Sequence, residues 1–151
     1  MDKTFTLDEA NVLLPILESL LKRAMDAKQE IEAIDQELQN VGHRIFLMGG
    51  SLVDIPKVTA RKAERENHIQ LIKDSVTEIH ATGVQVKDLD MGLLDFPCIV
   101  EGETVLLCWK YGEGHNVQHW HGLAEGYAGR KPIESLNLNP KKKKDADDRP
   151  N

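Results

Sequence analysis

The chain has 151 residues, a length that suits a single domain with a sizeable core. Its formal net charge of −6, with 29% charged residues, argues against a general nucleic-acid binder, which would carry a basic field. No apolar run approaches the about 20 residues that cross a bilayer, and the first residues lack the apolar region of a secretory signal. Two cysteines alone make no disulfide framework, so we expect a cytoplasmic protein with reduced thiols and no membrane contact.

The segment FTLDEANVLLP predicts the start of a first helix. Thr6 and Glu9 fit a capping box, in which each side chain accepts a hydrogen bond from the backbone of the other residue. Pro15 lacks a backbone donor and collides with the preceding turn, so we expect a kink or a restart of the helix there. Apolar residues recur at the heptad spacing of coiled coils. They are Ala10, Leu17, Ala24, Ile31 and Leu38 in one row, and Leu13, Leu20, Ala27, Ile34 and Val41 in the other.

A helix of about 30 residues would be about 45 Å long, too long to bury this stripe within a small globule. Gly49-Gly50 end the helix, and Ile55-Pro56 begin a second one, which has a weaker apolar stripe and ends at Gly83. We therefore predict an antiparallel helical hairpin over residues 6–82. The uncovered stripe further predicts a homodimer through this hairpin.

After Gly83 the apolar period changes from 3.6 to 2, which is typical of strands. The segments VQVKDL, GLLDFPCIV, TVLLCWKYG and VQHWH give three or four strand candidates over residues 84–121, with Pro97 marking an edge or a bulge. Because helical and strand runs are segregated, we predict an α+β fold, a long antiparallel helical hairpin followed by a small antiparallel β-meander. A single domain should cover residues 1–133, with meander and motif loops at 83–133 and a disordered charged tail at 134–151.

Residues 109–130, which include most of the stretch NVQHWHGLAEGYAGRKPI, hold more His, Trp, Glu and Arg than a core needs. Trp120 and His121 should face opposite sides of a strand, with Trp120 toward the core. His121 and Glu113 are the candidate catalytic pair, since a histidine near a carboxylate suits proton transfer. Arg130 indicates recognition of a carboxylate or phosphate, so we predict a polar pocket for a small anionic ligand. Further candidates for ligand contact are Asp90, Asp95, Trp109, Trp120, Glu125 and Tyr127.

Other interpretations stay open. His119 and His121, with Glu113, are a possible ligand set for Zn²⁺ or Fe²⁺, although their spacing matches no named zinc signature. Cys108 is either a nucleophile beside His121 or a small buried hydrophobe. The glycines at 122, 126 and 129 either expose amides to an anion or adopt positive φ in turns. The whole motif could instead be a network that fixes the loops, which would leave the hairpin as an interaction module.

Five blocks of the chain resemble a bacterial family, domain of unknown function 2203. They are FTLDEANVLLP, VKDLDMGLLDFP, LCWKYGE, WH and GYAGRKPI. The resemblance implies a helical hairpin joined to a small sheet, and it implies no activity. The family pattern falls on Asp88, Asp90, Gly92, Asp95, Pro97, Cys108, Trp109, Gly112, Glu113, Trp120, His121, Gly126, Gly129, Arg130 and Pro132. The chain departs from it at Tyr127, where Phe is more frequent, and at Gly114, where Pro is expected, while His115 and His119 lie outside it.

Overall fold

The computed structural model describes residues 3–50 and 53–138. Two long helices come first, α1 (Leu7–Met48) and α2 (Ile55–Ala81). Five strands follow: β1 (Gln85–Asp88), β2 (Leu93–Val100), β3 (Glu103–Lys110), β4 (His119–Gly122) and β5 (Lys131–Pro132). The strands pair in chain order, each antiparallel to the next. The fold is therefore α+β, a helical hairpin followed by an antiparallel meander, as predicted. Strand β5 was not predicted, because two residues are too few to show an alternation of apolar and polar side chains.

Helix α1 begins with the predicted capping box. The Thr6 hydroxyl accepts from the Glu9 N–H at 3.1 Å, and the Glu9 carboxylate accepts from the Thr6 N–H at 2.9 Å. The expected kink or restart at Pro15 is wrong, because α1 runs unbroken through this residue. A proline inside a helix costs about 3 kcal/mol, through the lost hydrogen bond and the clash of its ring with the preceding turn. The side chains of Leu14 and Leu17, buried on either side of Pro15, offset that cost by packing onto the sheet.

The apolar stripe of α1 is covered within the chain over most of its length. Buried residues recur at spacings of three and four along one face of the helix. They are Ala10, Leu14, Leu17, Leu21, Ala24, Ala27 and Ile34. Leu14 and Leu21 are fully buried, whereas Leu13 and Leu20, which the heptad rows favoured, only flank the core. The premise that one chain cannot cover this stripe is thus wrong for residues 10–34, because the sheet and α2 together cover it.

Helix α2 contacts the outer half of α1 mainly through charge. Only Ser75 and Ile79 are buried among its residues, both near its C-terminal end. Farther out, Arg61 donates to Glu37 at 2.6 Å and Arg65 donates to Asp35 at 2.6 Å. Ion pairs between the helices thus replace the apolar contacts that the weak stripe of α2 cannot make.

The sheet has two faces of different character. The inner face packs on the helices with side chains that include Leu94, Phe96, Leu107 and Trp109. The outer face carries the alternate residues of the same strands, and those in the middle of β2 and β3, such as Asp95 and Cys108, are also buried. The turn between β2 and β3 consists of Glu101 and Gly102, both with positive φ, 53° and 80°. Such two-residue turns fix the strand register tightly.

Pro97 lies in the middle of β2 yet at an edge, as predicted. Strand β1 pairs only with residues 93–95 of β2, so it ends before Pro97. The Pro97 carbonyl accepts from the Phe5 N–H at 2.7 Å. Since the nitrogen and carbonyl of a strand residue point to the same side, the missing donor of Pro97 also faces this edge and costs no ladder bond.

The packed chain continues past residue 133. Within the region predicted as a disordered tail, Leu136 and Leu138 pack against the core, as Ile133 does just before them. Residues 139–151 of that predicted tail lie outside the described residues. Within the described part, no helix combines the length and apolar content that crossing a bilayer requires.

Candidate functional site

A cavity of about 180 Å³ lies on the outer face of the sheet, and we call it the outer pocket. Its floor holds three polar side chains, from Asp95 on β2, Cys108 on β3 and His121 on β4. Its apolar walls are Leu93, Leu106, Leu123 and Tyr127. Lys87, Glu125 and Gly126 complete the lining. The pocket therefore lies between the sheet and the loop that follows β4.

The floor is built by strand register. Asp95 pairs directly with Cys108 across β2 and β3, and His121 pairs with Leu106, two residues along β3 on the same face. All three side chains are almost fully buried, with exposures of 1% for Asp95, 1% for Cys108 and 3% for His121. One donor atom from each lies within 4.8 Å of the other two. The meander thus concentrates an acid, a thiol and an imidazole at one point.

Both nitrogens of the His121 ring have partners. Nδ1 lies 2.9 Å from the Gly122 carbonyl oxygen, and Nε2 lies 3.2 Å from Asp95 Oδ1. A carbonyl oxygen can only accept, so Nδ1 carries a proton. The other carboxylate oxygen, Asp95 Oδ2, is buried and accepts no hydrogen bond from residues 3–50 or 53–138. The Asp95 side chain, which lines the pocket, therefore keeps an acceptor that no described residue uses.

Cys108 is held as a neutral thiol. Burial, and next the adjacent Asp95 carboxylate, raise the pKa of Cys108 to about 12. The Arg130 guanidinium acts in the opposite direction without outweighing them. Since the thiolate is the nucleophilic form, Cys108 is poorly suited to attack a substrate at neutral pH. Cys98, also a free thiol, belongs to the core cluster on the inner face.

The predicted anion-binding residue Arg130 is already bound to a carboxylate. Its Nη1 donates to Glu113 Oε1 at 2.9 Å, and its Nη2 donates to Glu113 Oε2 at 2.8 Å. Glu113 Oε1 also accepts from the Lys110 N–H at 2.7 Å, and Arg130 stacks 4.3 Å from the ring centroid of Tyr127. Glu113 therefore does not pair with His121, although the predicted catalytic pair needed that contact.

The glycine-rich loop likewise holds an internal carboxylate. Glu125 accepts from the Gly122 N–H at 2.9 Å and from Lys131 Nζ at 2.9 Å. A Cβ at Gly122 would lie 3.0 Å from this carboxylate, and one at Gly129 would lie 3.2 Å from the Glu125 Cβ. Glycines 122, 126 and 129 have no positive φ, so turn geometry does not explain them. The small size of Gly122 and Gly129 permits the close approach of Glu125.

Several predicted ligand contacts lie away from the outer pocket. Trp109 and Trp120 pack on the core side of the sheet, so they cannot form its walls. The tryptophan nitrogens donate to the Gly114 carbonyl and the Ser135 hydroxyl at 3.1 and 2.9 Å. Asp90 is exposed and forms an ion pair with Lys28. His119 approaches Glu113, with Nδ1 3.8 Å from Oε2, whereas His115 is exposed.

A family model described as an uncharacterized conserved protein, DUF2203, matches residues 3–133. The chain belongs to this family. The match spans both helices and all five strands and stops at residue 133. It confirms membership of the family that the sequence blocks resembled. Neither the curated proteins nor the solved structures give a significant match to the chain. The family thus defines the fold unit, and any function has to be argued from the outer pocket itself.

The sequence interpretation placed His121 and Asp95 among the candidates but did not commit to Cys108. The sequence signal for Cys108 is the length of the turn between β2 and β3. With Glu101-Gly102 as a two-residue turn, counting outward pairs Asp95 with Cys108. No turn type was assigned between the second and third strand candidates, so the register, and with it the third side chain of the floor, was missed.

Proposed function

We propose that this DUF2203 chain is a bacterial cytoplasmic protein that binds a small molecule in the outer pocket. The observation that carries the proposal is the burial of Asp95, Cys108 and His121 on one floor, with Asp95 Oδ2 free of any hydrogen bond from the described residues. Burying polar groups costs free energy unless their hydrogen bonds are made. A ligand that donates to Asp95 Oδ2 would offset this cost, and it is the simplest reason for the presence of the trio.

The lining defines the chemistry of the ligand. A volume of about 180 Å³ holds a molecule about the size of six waters, taking about 30 Å³ for each. Apolar walls would contact its carbon skeleton, and the acceptor on Asp95 would contact a donor or a cationic group. An anionic ligand, as the sequence predicted, would have to displace Glu113 from Arg130. If His121 transferred a proton to or from the bound molecule during a reaction, it would act as a general acid or base, and the protein would be an enzyme.

Filling the pocket tests this proposal. Gly126 lines the cavity, has a φ of −124°, and would place a Cβ that meets no atom within 4 Å. Gly126→Leu should therefore fold normally and obstruct the site. We expect small amines or alcohols that raise the Tm of the natural protein to lose this effect in the variant. Gly42→Leu, whose Cβ is equally free on α1, is the matched control. If the same compounds stabilise both variants alike, ligands bind elsewhere.

A second candidate function, self-association, is favoured by the end of the hairpin. The heptad rows of α1 continue to Ile45 and Met48, which are 41% and 63% exposed. Phe46 beside them is 85% exposed. A second copy of the chain is the partner that such a repeat fits, because a two-fold pairing sets the same apolar row against itself. Sedimentation of the natural chain against Met48→Glu tests this, with dimer expected only for the natural chain.

A further inference from the structure

We infer that Asp95, Cys108 and His121 bind one divalent transition-metal ion of the Zn²⁺ or Fe²⁺ class on the floor of the outer pocket. This inference rests on the proposed function of that pocket and names what its floor holds. The three donor atoms lie within 4.8 Å of one another. Zinc bonds of about 2.0–2.3 Å place tetrahedral ligand atoms roughly 3.3–3.8 Å apart, so small rotations of these side chains would suffice.

The orientation of the His121 ring supports a cation at this position. Nδ1 lies 2.9 Å from the Gly122 carbonyl oxygen, and this contact turns Nε2 toward Asp95 Oδ1, 3.2 Å away. Two ligand atoms bound to one zinc ion lie at about this separation. An Nδ1–H bound to a backbone carbonyl is also the usual arrangement behind a histidine that binds metal through Nε2.

The unbonded oxygen of Asp95 is the second, independent observation. Asp95 is 1% exposed, lines the pocket, and its Oδ2 accepts no hydrogen bond from the described residues. A carboxylate this deeply buried needs a positive partner. Arg130, the nearest guanidinium along the motif, is bound in a fork by Glu113, and Lys131 is bound by Glu125. These two cationic side chains of the loop are therefore engaged with other carboxylates, and Lys87, which also lines the pocket, forms no ion pair with Asp95.

The donor set selects the metal. Sulfur, imidazole nitrogen and a carboxylate oxygen suit zinc, iron or cobalt, whereas magnesium and calcium prefer oxygen alone. Three protein ligands leave one tetrahedral position open, which is typical of metals that bind an exchangeable ligand. That position would face the cavity, where a small molecule could coordinate. This set shares His121 with the alternative predicted from sequence but replaces His119 and Glu113, whose carboxylate is held by Arg130.

Cobalt substitution gives a direct test on the full chain. We expect metal-free protein to take up one Co²⁺ per chain, to release the Cys108 thiol proton to solvent as the metal binds, and to show a thiolate-to-cobalt charge-transfer absorption. Cys108→Ser should lose that absorption, and Cys98→Ser, the matched control on the inner face, should keep it. Asp95→Asn and His121→Ala should weaken Co²⁺ binding by more than the about 10- to 100-fold that loss of an outer-shell partner costs. The double variant His115→Ala/His119→Ala should bind Co²⁺ as the natural chain does.

Two results would overturn the inference. One is natural protein that takes up less than stoichiometric Co²⁺ or shows no charge-transfer absorption, which would mean that a proton alone joins His121 to Asp95. The other is an absorption that survives in Cys108→Ser. Since the first result is read on the natural chain, it stands even if a variant fails to fold. Small molecules that still lose binding in Gly126→Leu would then uphold the pocket without the metal. Stoichiometric cobalt binding without any binding of small molecules would instead refute the proposed small-molecule function and leave the metal site in place.

Discussion

Replacing Arg130 by Lys should destabilise the protein, because the guanidinium makes two hydrogen bonds to Glu113 and an ammonium can replace only one of them well. The two side chains are 12% and 20% exposed, and the bonds measure 2.9 and 2.8 Å. A hydrogen bond to a charged group contributes about 1.5–3 kcal/mol, which partial exposure reduces to about 1–2 kcal/mol here. We therefore expect Arg130→Lys to lower the free energy of unfolding by that amount in urea titrations followed by circular dichroism.

The matched control is Arg65→Lys. Arg65 also donates to a carboxylate, that of Asp35, but these side chains are 34% and 49% exposed. Exposed pairs contribute about 0–1 kcal/mol, so this variant should remain close to the natural chain. Equal losses in Arg65→Lys and Arg130→Lys would refute the reasoning, since they would show that the fork at Glu113 adds nothing beyond charge.

The same pair has a pH dependence of definite sign. Burial alone would raise the pKa of Glu113, but the hydrogen bonds from Arg130 and from the Lys110 N–H outweigh it and lower the pKa. A carboxylate with a lowered pKa in the folded state stabilises fully above its unfolded pKa of about 4.3, and this contribution is lost as the pH falls through the lowered value. The difference in unfolding free energy between the natural chain and Glu113→Gln should thus be largest near neutral pH and shrink in acid.

Three further substitutions test other parts of the structure. Leu14→Ala should lower the free energy of unfolding by about 2–5 kcal/mol in urea, because Leu14 is fully buried, and a loss under about 1 kcal/mol would contradict the assigned core. Gly92→Ala should lower the Tm, since Gly92 has a φ of 72° and the new Cβ would lie 2.7 Å from the Tyr111 Cβ; an unchanged Tm would contradict this turn. Ile45→Glu should abolish any dimer in sedimentation and leave the Tm of the monomer unchanged; a dimer that persists would exclude the end of the hairpin as its interface.

The sequence predicted those boundaries and strands that depend on a few neighbouring residues. The capping box at Thr6, the break at Gly49 and the alternation after Gly83 each depend on a few neighbouring residues, and each was confirmed. The opposite orientation of Trp120 and His121 follows from the pleat of one strand in the same way. Pro15 misled, because its local cost is set against tertiary packing that the sequence around it does not reveal.

The partners of charged side chains could not be predicted from spacing. Arg130 pairs with Glu113 and not with a ligand because the loop after β3 returns along the outer end of the sheet, a path fixed by pairing of β4 and β5. The assumption that one chain cannot cover the stripe of α1 failed over residues 10–34 for a similar reason. The sheet that covers the first half of α1 is made from residues 85–132, and no heptad rule accounts for it.

The first turn of α1 docks on parts of the sheet that are synthesised much later. The Val117 N–H donates to Asn11 Oδ1 at 2.8 Å across 106 positions of sequence, and Phe5 meets Pro97 and Phe96 across about 90. The strands themselves pair only with chain neighbours, so they can form quickly once made. During synthesis the leucines of α1 therefore remain exposed to water until the meander has left the ribosome. This interval is when the chain is most open to aggregation and has most to gain from a chaperone.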